Sequence, residues 1–122
     1  MAEKQWTTEL KKGTVQLGIL ALLGEGRRYG FELIEELKRR TGGYLDLKEG
    51  TLYPALHRME KQGLLVSEWV IQEGAGQPRK YYSITSEGKA ALEDGRARWQ
   101  AMVAGLGGVL KAGADPPKGA AP

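Results

Sequence analysis

The sequence predicts a mainly α-helical fold carrying one β-hairpin, and three observations predict it. Three stretches ahead of Gly63 repeat apolar residues at helical spacing, and each is ended by glycine. Two runs rich in β-branched and aromatic residues follow, joined by a glycine-bearing link. A last segment then repeats large side chains at every seventh position.

The first helix is read from Thr8 to Leu23, where Leu10, Val15, Leu17, Ile19, Leu20, Leu22 and Leu23 cover much of its circumference, so packing on two sides is expected. Gly24-Glu25-Gly26 ends it. The second runs from about Tyr29 to Arg40, with Gly30, Leu33, Ile34, Leu37 and Thr41 at intervals of three or four and Gly42-Gly43 as the stop. The third spans Thr51 to Gln62, with Leu52, Leu56 and Met59 on one stripe. Pro54 has no N–H to give and is harmless only in a first turn, which sets the start near Gly50 or Thr51 and makes Thr51 the candidate cap, with an irregular extra turn beginning at Glu49 or Lys48 as the alternative. Leu64–Gln72 and Lys80–Ile84 read as the two hairpin strands around a flexible tip at Glu73–Arg79.

Thr85 is placed to cap the last helix, with Glu87 near the positive end of its dipole. Leu92, Trp99 and Leu106 recur at seven, as do Arg96, Val103 and Leu110. Gly88, Gly95, Gly105, Gly107 and Gly108 each cost this helix roughly 1 kcal/mol relative to alanine, so either it frays from about Gly105, leaving Leu106 and Leu110 outside the interface, or packing on a second copy holds it, the reading preferred up to Val103. Lys111 to Pro122 reads as a disordered tail. The element order is that of a winged helix-turn-helix over 8–85, whose first helix is shared with a dimer interface, followed by a C-terminal dimerisation helix over 86–110 and the tail over 111–122.

Composition narrows the chemistry. At 122 residues one domain is the expectation. With 41% apolar and 27% charged residues the chain is globular in composition, its apolar stretches fall short of the ~20 residues that span a bilayer, and no membrane partner is expected. Met1–Trp6 lacks the apolar core of a secretory signal and there is no cysteine, so a cytoplasmic protein is expected. Without cysteine, and with His57 the lone histidine, zinc fingers, cysteine nucleophiles and histidine triads have no material; neither enzyme activity, cofactor nor metal is expected. The formal charge of +3 permits a polyanionic partner without demanding one.

The outward residues carry the functional expectation. A helix that enters the major groove, ~12 Å wide, needs hydrogen-bonding and cationic side chains opposite its core stripe, and Thr51, Tyr53, His57, Arg58 and Lys61 meet that need. Gln77, Arg79 and Lys80 at the hairpin tip are placed to reach a phosphate or the minor groove. Singly, such cations are more often plain solvated surface, and Tyr53 fits equally well as a packing residue. The weight lies in both elements falling on one predicted face.

The run Gly50-Thr51-Leu52-Tyr53-Pro54-Ala55-Leu56-His57-Arg58-Met59-Glu60-Lys61-Gln62-Gly63-Leu64, then Trp69, Arg79-Lys80-Tyr81-Tyr82-Ser83-Ile84-Thr85 and Gly88, resembles the PadR family of bacterial regulators, as does Tyr29-Gly30-Phe31-Glu32-Leu33. The resemblance covers roughly Leu10 to Leu110 and is to the family's smaller subclass, with a single C-terminal helix. It implies a homodimeric repressor of double-stranded DNA, with Thr51, Tyr53, Arg79 and Lys80 as contacts and the first and last helices as the dimer interface. It also implies release by a small, often aromatic, inducer bound near the dimer centre. The apolar stripe Leu92, Trp99, Val103 and Leu106 is the expected interface, Trp99 midway along it the candidate ligand contact, and a two-fold dimer calls for an inverted-repeat operator. The rival expectation is a winged-helix protein-interaction module without DNA affinity. A carrier or enzyme lacks paired catalytic groups, and Gly24-Glu25-Gly26 has no strand before it to make a phosphate loop.

Overall fold

The computed structural model describes residues 11, 13–71, 73–74 and 76–111. Helix α1 (Thr14–Glu25) leads through strand β1 (Arg28–Tyr29) into α2 (Gly30–Arg40), then α3 (Glu49–Lys61), the hairpin β2 (Leu65–Ile71) and β3 (Pro78–Ile84), and α4 (Ser86–Leu110). The expected start of the first helix at Thr8 and the expected tail beyond Lys111 lie outside the described residues.

The apolar circumference of α1 is used as its sequence demands, with Ile19, Leu20, Leu22 and Leu23 all buried against different neighbours. Leu33 and Leu37 of α2, Leu52, Leu56 and Met59 of α3, and Leu65 at the start of β2 complete one core. Side chains of this size each contribute about 1.5–3 kcal/mol when fully withdrawn from water, so this cluster fixes how the three helices lie. Gly42 and Gly43, with φ of +60° and +89°, end α2 as its glycine pair requires.

Strand β1 corrects the expectation that Tyr29 begins a helix. Arg28 and Tyr29 pair antiparallel with Tyr82 and Tyr81, giving a three-stranded sheet in the order β1-β3-β2. Tyr29 instead precedes the first turn of α2, its N–H donating to Glu32 Oε1 at 3.1 Å. Two residues are too few to show an alternating pattern; pairing with β3 alone makes them a strand.

The start of α3 is the earlier of the two expected ones. Lys48, not Thr51, stands at the N-cap, and its carbonyl accepts from Thr51 and Leu52 N–H groups at 3.0 Å each. Pro54 therefore falls in the second turn, where the N–H it lacks would have bonded the carbonyl of Gly50, an exposed residue.

Thr85 caps α4 as expected, its Oγ1 accepting from the Gly88 N–H at 3.0 Å. The same hydroxyl donates to the Gly63 carbonyl at 2.6 Å, tying the helix to the α3–β2 turn. The helix crosses α1 closely because glycines remove bulk: Leu92 lies over Gly24 and Leu17 over Gly95. Leu92 is only 7% exposed within the chain, so the first residue of the seven-residue stripe already has an intramolecular partner and is not free as the sequence expectation required. Residues 99–110 of the helix are exposed within the chain.

Candidate nucleic-acid interface

The amphipathic period of α3 sorts its residues. Leu52, Ala55, Leu56 and Met59 are buried, while Thr51, His57, Arg58 and Lys61 stand in solvent on the opposite side. Lys48, which the sequence offered as the start of an extra turn, stands at the cap and is exposed.

Tyr53 has a packing contact as well as an exposed edge. It is 43% exposed, yet its ring is folded onto the first residue of α2, filling the space where a side chain on Gly30 would stand. Partial burial, and next the Glu49 carboxylate, push its hydroxyl above the ordinary tyrosine value of 10.0. The buried Tyr82 is pushed up in the same way, by burial first and then by Glu60 and Tyr53. Tyr53 thus joins α3 to α2 and the sheet, and the packing alternative left open by the sequence is the one its ring occupies.

The wing separates two residues that the sequence grouped. Side chains alternate along a strand, so Arg79 and Lys80 point to opposite faces. Arg79 and Tyr81 share the outer face, where the Arg79 guanidinium lies 4.5 Å from the Tyr29 ring centroid and Arg27 lies 4.6 Å from that of Tyr81. Tyr29 and Tyr81 meet edge to face at 5.4 Å, and Arg27 pairs with Glu68 at 3.0 Å. The other face is turned to α3: Ser67 Oγ donates to Glu60 Oε2 at 2.6 Å and Tyr82 is buried there. Lys80 is on this face, its ammonium 5.7 Å from the Tyr82 ring and 5.9 Å from that of Trp69. Of the two wing cations, only Lys80 shares a face with α3. Gln77 is exposed at the base of the tip, and residues 72 and 75 beside it lie outside the described residues.

Charge pairing distinguishes this surface from the end of α2 and the middle of α4. Lys38, Arg39 and Arg40 at the end of α2 are matched by Asp46, Glu36 and Glu25, and Arg96 and Arg98 of α4 by Glu93 and Asp94. The hydrogen bond from Arg39, with its charge, holds the Glu36 carboxyl below the usual range. Among the described residues, none of the ion pairs includes Lys48, Arg58, Lys61, Arg79 or Lys80. No helix among the described residues is long and apolar enough to cross a membrane.

Three helices with a hairpin laid beside the third define a winged helix-turn-helix protein. Residues 19–94 match the model of the transcriptional regulator PadR-like family. Transcriptional regulator Rv3488 of Mycobacterium tuberculosis is 42% identical over 101 residues, 82% of this chain and 90% of that protein. The negative transcriptional regulator PadR of Bacillus subtilis is 29% identical over 86 residues, 70% of this chain but 47% of its own. Among solved structures, a PadR family transcriptional regulator from Eggerthella lenta superposes with a TM-score of 0.76 at 35% identity, covering 91% of this chain and 94% of that one. A transcriptional regulator from Clostridium thermocellum gives 0.76 at 31% identity, covering 84% and 99%. The chain belongs to the PadR-like family, whose members are transcriptional regulators and not enzymes.

Proposed function

We propose that the chain is a homodimeric repressor that binds double-stranded DNA at an inverted-repeat operator, with α3 in the major groove and the wing across the adjacent backbone. The observation that carries the reading is the set of cations Arg58, Lys61 and Lys80, which make no ion pair among the described residues and lie on the outward side of α3 and on the wing face turned to it, while those at the end of α2 are neutralised. Cations left without carboxylate partners are free to displace counterions from phosphates, the main sequence-independent term in DNA affinity. Thr51 and His57, exposed on α3, are the candidates for reading bases, and Arg79 and Gln77 for flanking contacts from the outer face and tip of the wing. A repressing role is supported by the Bacillus subtilis relative, a negative regulator by name.

Dimerisation is supported by α4. Trp99, Met102, Val103, Leu106, Val109 and Leu110 are large apolar residues left exposed within one chain, and a symmetric pair buries them. Trp99 also stands between two grooves along α1. One, of about 460 Å³, is lined by Leu17, Leu20, Gly95, Met102 and Leu106; the other, of about 320 Å³, by Tyr44, Leu45 and Leu92. Spaces of this size and apolar lining suit a small planar molecule, which supports an aromatic inducer at the dimer centre.

Anisotropy titration of a labelled mixed-sequence duplex at rising salt tests the DNA reading. Binding that weakens steeply with salt is expected, and absence of binding at low salt refutes it. Selection of bound sequences should then return half-sites about one helical turn, ~34 Å, or a multiple of it apart. For the inducer, Trp99→Ala should leave a dimer that binds operator yet ignores aromatic compounds that release the parent; loss of the dimer would make the indole structural.

A further inference from the structure

We infer that Trp69 is a DNA-backbone contact: its indole and the Lys80 ammonium receive the sugar–phosphate strand that passes between the groove entered by α3 and the groove reached by the wing tip. The inference rests on the DNA-binding reading above and adds to it a contact residue that carries no charge.

The core does not account for Trp69. Indoles are large apolar groups that normally contribute buried area, yet this one is 67% exposed. Its direction is fixed by its strand. Ser67, two residues nearer the core on the same face, is hydrogen-bonded to Glu60 of α3, and the buried Tyr82 lies opposite Ser67 in register. Trp69 and its cross-strand partner Lys80 are the next pair outward, just past the rim of the core on the face turned to α3. The wing face turned to α3 therefore presents, beyond the core, an exposed indole and, 5.9 Å from its ring, a cation with no carboxylate partner among the described residues.

The occupant follows from charge and shape. On the outer face of the wing the acidic Glu68 stands beside the cations, paired to Arg27, while Arg79 lies over Tyr29. The inner face instead offers a positive charge beside an apolar ring that carries one N–H donor and no acceptor. A DNA strand presents the complement, anionic phosphate oxygens alternating with apolar deoxyribose faces. When a helix fills the major groove and a hairpin reaches the neighbouring minor groove, the strand dividing those grooves must run between the two elements. Ile71, farther out on the same face and 77% exposed, extends the apolar edge along that path.

The test uses the full chain and the same mixed-sequence duplex. Trp69→Ala should weaken binding about tenfold on every sequence, since a hydrogen bond to a charged group is lost together with ring contact. Trp69→Phe, which keeps a ring but not the donor, should fall between. Because the indole is neutral, neither variant should change the salt slope, whereas Lys80→Ala should lower it by about one phosphate's share. A second measurement follows indole emission: the parent should show a shift on adding duplex that tracks the anisotropy midpoint and reverts with salt, and the Trp69→Phe variant should lack it. If the parent binds duplex while Trp69→Ala binds equally well and the emission is unmoved, the contact is overturned and the DNA reading stands; the exposed indole then serves a protein partner. If the parent binds no duplex, both fall.

Discussion

Gly88→Ala should destabilise the fold, although helix propensity alone says the opposite. In a helix interior alanine is favoured over glycine by about 1 kcal/mol, and Gly88 is the third residue of α4. A Cβ at Gly88 would lie 2.2 Å from the Leu64 carbonyl oxygen and 2.6 Å from Ile84 Cγ1, contacts that no side-chain rotation relieves in the case of the backbone oxygen. That carbonyl accepts from the Thr85 N–H at 3.1 Å, so moving it disturbs the corner where α4 is tied to the α3–β2 turn. Overpacking costs about 1–3 kcal/mol and a strained hydrogen bond about 1 kcal/mol more, against a gain of at most about 1 kcal/mol, leaving a net loss of about 1–3 kcal/mol. At about 4–8 °C per kcal/mol for a domain of this size, circular dichroism melting at fixed protein concentration resolves it. Gly105 and Gly107 have no atom within 4 Å of a built Cβ and provide the control: alanine there should leave the melting temperature unchanged or raise it. A Gly88→Ala protein as stable as its parent would refute the reasoning.

Lys80→Ala should weaken binding to all duplexes and flatten the salt dependence more than Arg79→Ala, because only Lys80 faces α3 while Arg79 lies over Tyr29; equal effects in titration would contradict the two-face assignment. Leu106→Glu, on the exposed stretch of α4, should convert the dimer to a folded monomer in light scattering at tens of micromolar, and an unchanged mass would move the interface elsewhere. Tyr53 and Tyr82 have hydroxyls raised above 10.0 in the fold, so their neutral forms stabilise it fully below that pH, and the contribution is lost as pH rises through the raised folded values. Urea midpoints between pH 8 and 11 should therefore fall less in a Tyr53→Phe, Tyr82→Phe double variant than in the parent; parallel curves would count against it.

The sequence by itself determined the order of elements, the glycine stops, the Thr85 cap and the outward set of α3, because each is written in spacings of three and four residues that a helix must obey. It also held the alternation that parts Arg79 from Lys80, though not which face meets a partner. Tertiary structure decided the rest. Arg28 and Tyr29 became a strand only through pairing with β3; Lys48 became a cap only once the α2–α3 loop set the helix start; Tyr53 turned inward because Gly30, distant in sequence, left room for its ring. Leu92 passed from expected interface to core, and Gly88 from weak helix former to required contact, for the same reason: the neighbours that fix each role come from segments far along the chain, and only packing brings them within a few ångströms.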